Sequence, residues 1–126
     1  MLVPHLHFCG NCAEAITLYE KAFKTKTDML FRSETGGGSV VHSEMQIHGM
    51  RIMLNDRFGN KNKTTDCAVA LIVTFENTDE LLACYKVMIS EGTVIDPLAK
   101  AEYTELGVQF LDKFGVQWAF MVEKSC

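Results

Sequence analysis

The side chains here that could do chemistry are drawn from four histidines, five cysteines and sixteen carboxylates. Their spacing says more than their number. Pro4-His5-Leu6-His7-Phe8 sets two imidazoles two residues apart, which puts both on one side of an extended strand. His42, Glu44 and Gln46 repeat that spacing in a second segment, and Arg51, Met53 and Asn55 repeat it in a third. Imidazole beside carboxylate suits proton transfer or a divalent metal ion, and a guanidinium suits an anion. Cys9-Gly10-Asn11-Cys12 offers a different chemistry. A C-x-x-C where a strand meets a helix can have its thiol pKa lowered by the helix N-terminus, which implies thiol redox activity. Against this, Cys12 also fits an apolar helical stripe, and the aromatic and proline neighbours of thioredoxin-like sites are missing. A zinc site from His7, Cys9 and Cys12 lacks a second Cys/His pair at finger spacing. Gly36-Gly37-Gly38 lacks the lysine and helix of a phosphate loop, and no G-x-G-x-x-G follows a strand. Nothing points to an S-adenosylmethionine-binding domain.

The elements that must position these groups come in two sets. Asn11-Cys12-Ala13-Glu14 is followed by Tyr19, and Asn77-Thr78-Asp79-Glu80 by Tyr85, so N-x-x-E-x4-Y occurs twice. Asn with Glu three residues on is a capping-box-like helix start. The first helix is predicted to run to about Lys24, with Cys12, Ala15, Ile16, Tyr19, Ala22 and Phe23 on one stripe. The second is predicted to run to about Ser90, with Leu81, Leu82, Tyr85, Met88 and Ile89 buried. Extended segments precede them at residues 2–9 and 68–75. Val40–Ile47 and residues 50–55 flank His48-Gly49, the signature of a two-residue hairpin. In that register Ile47 faces Met50, Met45 faces Ile52 and Ser43 faces Leu54. Val41, Met45, Ile47, Met50, Ile52 and Leu54 then share the packed face, leaving His42, Glu44, Gln46, Arg51, Met53 and Asn55 on the other. Residues 108–112 and 116–122 form a second hairpin, with Trp118 read as a core or interface aromatic. Residues 29–32 and 93–95 are shorter strands, 34–39 a flexible loop. Asp56-Arg57-Phe58-Gly59 and Asp112-Lys113-Phe114-Gly115 form a second repeated motif, D-[RK]-F-G. The reading is α+β: two βαβββ modules at about 1–58 and 67–126, joined by a polar linker at 59–66, in a single domain.

Composition narrows the class. At 126 residues, 48% hydrophobic and 22% charged, the chain is globular. A net charge of −4 gives no reason to expect nucleic acid as a partner. No apolar run reaches the roughly 20 residues needed to cross a bilayer. An odd cysteine count, seven methionines and the absence of a signal-peptide pattern at the start predict a cytoplasmic protein in a reducing interior.

Two βαβββ units of this size resemble the vicinal oxygen chelate superfamily, the glyoxalase, bleomycin-resistance and dihydroxybiphenyl dioxygenase fold. Within it the chain is similar to the PhnB-like branch, also called 3-demethylubiquinone-9 3-methyltransferase-like. The resemblance rests on Pro4-His5-Leu6-His7-Phe8, Gly10-Asn11-Cys12-Ala13-Glu14-Ala15, Leu18-Tyr19, His42-Ser43-Glu44-Met45, Met53-Leu54-Asn55-Asp56 and Asp112-Lys113-Phe114-Gly115-Val116-Gln117-Trp118. It implies a ligand held in a cup of strands, and a homodimer. It also implies a divalent metal ion held by one His on the first strand and further ligands at the positions of Ala70 and Ala119. Neither alanine has a donor atom, so that triad is broken at two of three places. The remaining metal set is His5, His7 and Glu44. Ligand-binding residues are then His5, His7, Gln46, Arg51 and Asn55, and the catalytic pair is Glu44 and His42. The expected activity is binding of a small-molecule ligand, with lyase, isomerase or transferase chemistry, or else non-catalytic sequestration. Methyl transfer is not expected.

Overall fold

The computed structural model describes residues 1–34, 38–56, 69–102 and 104–124. The linker at 59–66, the tripeptide Arg57-Phe58-Gly59, Cys67 and Cys126 lie outside them, as do residues 35–37 of the 34–39 loop. The chain divides into two compact units, Met1–Lys63 and Thr64–Cys126.

In the N-terminal unit β1 (His5–Phe8) leads into α1 (Cys12–Phe23), then β2 (Thr27–Arg32), β3 (Val40–Ile47) and β4 (Met50–Asp56). The sheet order is β1-β4-β3-β2, with β1 parallel to β4 and the other pairs antiparallel. The predicted hairpin register is the observed one: Ile47 pairs with Met50, Met45 with Ile52 and Ser43 with Leu54. The turn needs positive φ at both central residues, which His48 (49°) and Gly49 (79°) supply. The stripe of α1 is buried as predicted, and the helix packs on β3 and β4, where Met45, Ile47, Ile52 and Leu54 are buried. Two members of the predicted packed face are corrected: Val41 and Met50 are exposed, while Val40 is fully buried. A register shift between Phe31 and Arg32, opposite the start of β3, accounts for Val40 turning inward.

The start of α1 is held differently from the prediction. Asn11 makes no side-chain cap. Instead the buried carboxylate of Asp56, last residue of β4, accepts the N–H groups of Gly10 and Cys12 on Oδ1 and of Val40 on Oδ2, each at 2.9 Å. A carboxylate at a helix N-terminus satisfies orphan donors and meets the positive end of the helix dipole.

The C-terminal unit repeats the connectivity: β5 (Leu71–Thr74), α2 (Thr78–Met88), β6 (Thr93–Ala99), β7 (Thr104–Leu111) and β8 (Gln117–Glu123) in the order β5-β8-β7-β6. Here the asparagine caps as predicted, Asn77 Oδ1 accepting the Glu80 N–H at 2.9 Å. The buried face of α2 is Leu81, Cys84 and Met88; Leu82 is exposed and Tyr85 half-buried, its ring 5.3 Å from Phe110. Phe75, Phe110, Trp118 and Phe120 complete the core. Gly92 is required by close approach, since a Cβ there would stand 2.4 Å from the Leu111 carbonyl oxygen.

The two N-x-x-E-x4-Y segments are structural equivalents, α1 starting at residue 12 and α2 at 78. The aspartates that open the D-[RK]-F-G pair are not. Asp56 ends β4, whereas Asp112 lies in the β7–β8 hairpin. There Asp112 accepts the N–H groups of Phe114 and Val116 and the indole N–H of Trp118. The counterpart of that hairpin in the first unit is His48-Gly49.

Replacing Asp56 by alanine strips three backbone donors of their acceptor. Urea denaturation should show a loss of about 3 kcal/mol or more, with Asp56→Asn less damaging because one oxygen survives. A loss below about 1 kcal/mol would show that water replaces the carboxylate.

Candidate functional site

Strand parity collects the candidate residues of the N-terminal unit on the sheet face opposite α1. On β1, Phe8 is buried against the helix while His5 and His7 are exposed. Their ring centroids are 4.3 Å apart, and His42 of β3 lies 6.3 Å from His5, edge-on. His7 Nδ1–H donates to Asn55 Oδ1 at 2.6 Å, joining β1 to β4. Glu44 is the hub. Its Oε1 accepts from Arg51 Nε at 2.5 Å and its Oε2 from His42 Nε2 at 2.9 Å. The Glu44 side chain is 14% exposed, against 44% for Arg51. Gln46 lies opposite Arg51 in the β3–β4 register and is exposed.

Two residues not predicted belong to the same face. Met29 and Phe31 of β2 pair directly with Glu44 and His42 and are exposed. Direct cross-strand partners point to the same side, so the polar cluster has an apolar border. The sequence signal was the alternation of Met29 and Phe31, obscured because Leu30 between them is apolar too.

The hydrogen bonds of Arg51 and then His42 hold the Glu44 carboxyl down at about 2, from an ordinary 4.5. His5 is exposed overall, yet the part of its ring against the sheet loses solvent. That burial, then the charges of His7 and His42, lowers its pKa. Burial pushes the Cys12 thiol up to about 12, and the Asp56 carboxylate adds to the shift. Cys12 is therefore a core thiol on the buried stripe of α1, while Cys9 is half-buried at the end of β1.

The metal expected from the resemblance does not fit these residues. Ala70 and Ala119 supply no donor. Among the described residues no three of His, Cys, Asp and Glu gather as an ion would require. His5, His7 and Glu44 thus make no metal-holding set: Glu44 is engaged by Arg51 and His42, and His7 by Asn55. Nor, among the described residues, is any helix long and apolar enough to cross a membrane.

Two βαβββ units, each a four-stranded mixed sheet backed by one helix, define the glyoxalase/bleomycin-resistance class of fold. A glyoxylase/bleomycin resistance protein/dioxygenase domain from Frankia sp. EAN1pec superposes with a TM-score of 0.74 at 13% identity, covering 98% of this chain and 97% of that one. The PhnB protein of Bacillus cereus, described as a 3-demethylubiquinone-9 3-methyltransferase, superposes with a TM-score of 0.87 at 25% identity, covering 96% and 98%. Protein YjdN of Escherichia coli (strain K12) is 22% identical over 142 residues, 98% of this chain and 96% of its own length. The chain belongs to the 3-demethylubiquinone-9 3-methyltransferase family, whose profile matches residues 1–121.

The Glu44 pairing predicts an acid-sensitive increment of stability. A carboxyl held at about 2 when folded stabilises fully above its ordinary 4.5, and loses that contribution as pH falls from there through about 2. Urea melts across that window should show wild type losing its lead over Glu44→Gln, the two converging near pH 2. Parallel pH profiles would mean that the pairing contributes nothing in solution.

Proposed function

We propose that the protein binds a small molecule with an anionic group on the polar face of its N-terminal unit. The observation that carries this reading is the Glu44 hub, which holds Arg51 and His42 in fixed positions beside His5, His7 and Asn55. Glu44 accepts only the Nε–H of Arg51, so the other guanidinium N–H donors and the imidazole ring N–H groups suit an anionic group on a ligand. Met29 and Phe31 border it and suit an apolar body on the ligand. A few placed polar groups beside apolar surface is the usual design of a small-ligand site. The alanines at positions 70 and 119 fit a binding role without a resident metal ion.

A second reading is proton-transfer catalysis, favoured by the His42–Glu44 hydrogen bond. A neutral His42 that donates Nε2–H to Glu44 keeps a lone pair on Nδ1, the geometry of a carboxylate-oriented base. Glu44 itself, held at about 2, is poorly matched to accept a proton at neutral pH and serves as the positioning group. The family description names a methyl transfer, and this second reading rests instead on the His42–Glu44 pair.

The further proposals are a homodimer and a cytoplasmic location. Leu30 on edge strand β2 and Val94 and Ile95 on edge strand β6 are exposed apolar groups that a second copy would cover. The cysteines Cys9, Cys12 and Cys84 are free thiols, which suits a reducing compartment.

A thermal-shift screen of aromatic and aliphatic carboxylates and phosphonates tests the binding reading. A ligand at a hundred times its Kd adds about 2.7 kcal/mol, several degrees in melting temperature. Arg51→Ala and His42→Ala should weaken that response at least tenfold while remaining folded. An unchanged response in both overturns the reading. Mass spectrometry of the recovered ligand separates binding from turnover, and light scattering after gel filtration reads the oligomeric state.

A further inference from the structure

The polar face holds its hydrogen-bond donors in a state that an anion cannot fully use. His7 Nδ1–H is committed to Asn55 Oδ1 at 2.6 Å, and His42 Nε2–H to Glu44 Oε2 at 2.9 Å. A neutral imidazole carries one N–H and one lone pair. The nitrogens left over, His7 Nε2 and His42 Nδ1, therefore present lone pairs, which repel an anion. Each of these rings offers a ligand an N–H only after taking up a proton. His5 is the exception: among the described residues its ring makes no hydrogen bond, so its N–H is available in the neutral form. Its ring centroid lies 4.3 Å from that of His7 and 6.3 Å from that of His42. Positive charge on one ring therefore opposes charge on the others, and the His5 pKa is lowered by burial and then by His7 and His42.

We infer that the polar face takes up its anionic ligand together with a proton, which the cluster of His5, His7 and His42 acquires as the ligand seats. The inference rests on the anion-binding role proposed for this face and adds its control by pH. The counter-charges within the face are already assigned. Glu44 accepts from both His42 and Arg51, so a further positive charge among the rings has no partner of its own until an anion arrives. The groups that face the rings are few. β1 brings His5 and His7, β3 His42 and Glu44, and β4 Arg51 with the uncharged Met53 and Asn55. β2 brings the uncharged Met29 and Phe31. Its Asp28, in the register break beside Met29, has no hydrogen bond or ion pair with the cluster among the described residues. Linkage sets the sign. A ligand that raises the proton affinity of the rings binds more tightly as pH falls toward the ordinary imidazole value of about 6.5. Each proton taken up changes affinity by up to about tenfold per pH unit.

The test is isothermal titration calorimetry of the full chain with benzenesulfonate, an aromatic anion that keeps its charge throughout the range where imidazole titrates. Affinity should fall at least about fivefold from pH 6 to pH 8. At pH 7, comparing buffers of low and high ionisation enthalpy should count about half a proton or more taken up per ligand. Nitrogen-15 NMR of the imidazole rings then locates that proton. In the free protein at pH 8, His7 should be the Nδ1–H tautomer and His42 the Nε2–H tautomer. Benzenesulfonate should raise the titration midpoint of at least one of His5, His7 and His42, and leave that of His48, on the β3–β4 turn, unmoved. Binding with neither proton uptake nor pH dependence overturns the coupling and leaves the anion-binding reading standing. Failure to bind at every pH, pH 6 included, removes that reading and the coupling with it. An equal rise at His48, or the opposite tautomer at both His7 and His42, overturns the assignment to this cluster.

Discussion

The N-terminal unit depends on one buried carboxylate. Asp56 closes β4 and accepts backbone N–H groups from the turn before α1, from the first residue of α1 and from the start of β3. Two segments far apart in sequence, residues 10–12 and the start of β3, are thereby tied to one strand end. Each of those donors would otherwise be orphaned, and an unpaired buried N–H costs about as much as the hydrogen bond it lacks. With the start of α1 and the ends of β3 and β4 pinned, strand parity leaves no freedom. Apolar residues of β1, β3 and β4 meet the helix, and His5, His7, His42, Glu44, Arg51 and Asn55 take the opposite face.

The second unit reaches the same connectivity by other means. Its helix is capped locally by Asn77, and its aspartate works inside a hairpin, where Asp112 ties Phe114, Val116 and the Trp118 indole together. An aromatic core of Phe75, Phe110, Trp118 and Phe120 stands where the first unit packs the mixed stripe of α1 against aliphatic residues and methionine of β3 and β4. Duplicated topology has therefore diverged in what holds it. The chemistry diverged with it: the charged, hydrogen-bonded cluster lies on the first unit.

Family membership sets the fold firmly and the reaction hardly at all, since one fold hosts many activities. Ala70 and Ala119 separate this chain from the metal-binding pattern that the fold suggests. The Glu44 carboxylate, pulled down by Arg51 and His42, behaves as an anchor for those two side chains. The proposed recognition by an oriented guanidinium and imidazole would need a ligand of matching charge and no resident ion.

Local pattern in the sequence determined the two βαβββ units, the buried stripe of α1, the His48-Gly49 hairpin with its register, and the alternation that gathers the histidines, Glu44 and Arg51. Each follows from a period of 3.6 or 2 and from turn residues with a required φ, which neighbouring residues suffice to specify. Only the tertiary structure decided that Asp56 caps α1, that Asn11 does not, that Val40 rather than Val41 turns inward, and that Asp56 and Asp112 are not equivalents. It also decided that Met29 and Phe31 border the polar face. These are partnerships between residues many positions apart. They depend on bulges and on which strand end meets which helix, and no local period encodes them.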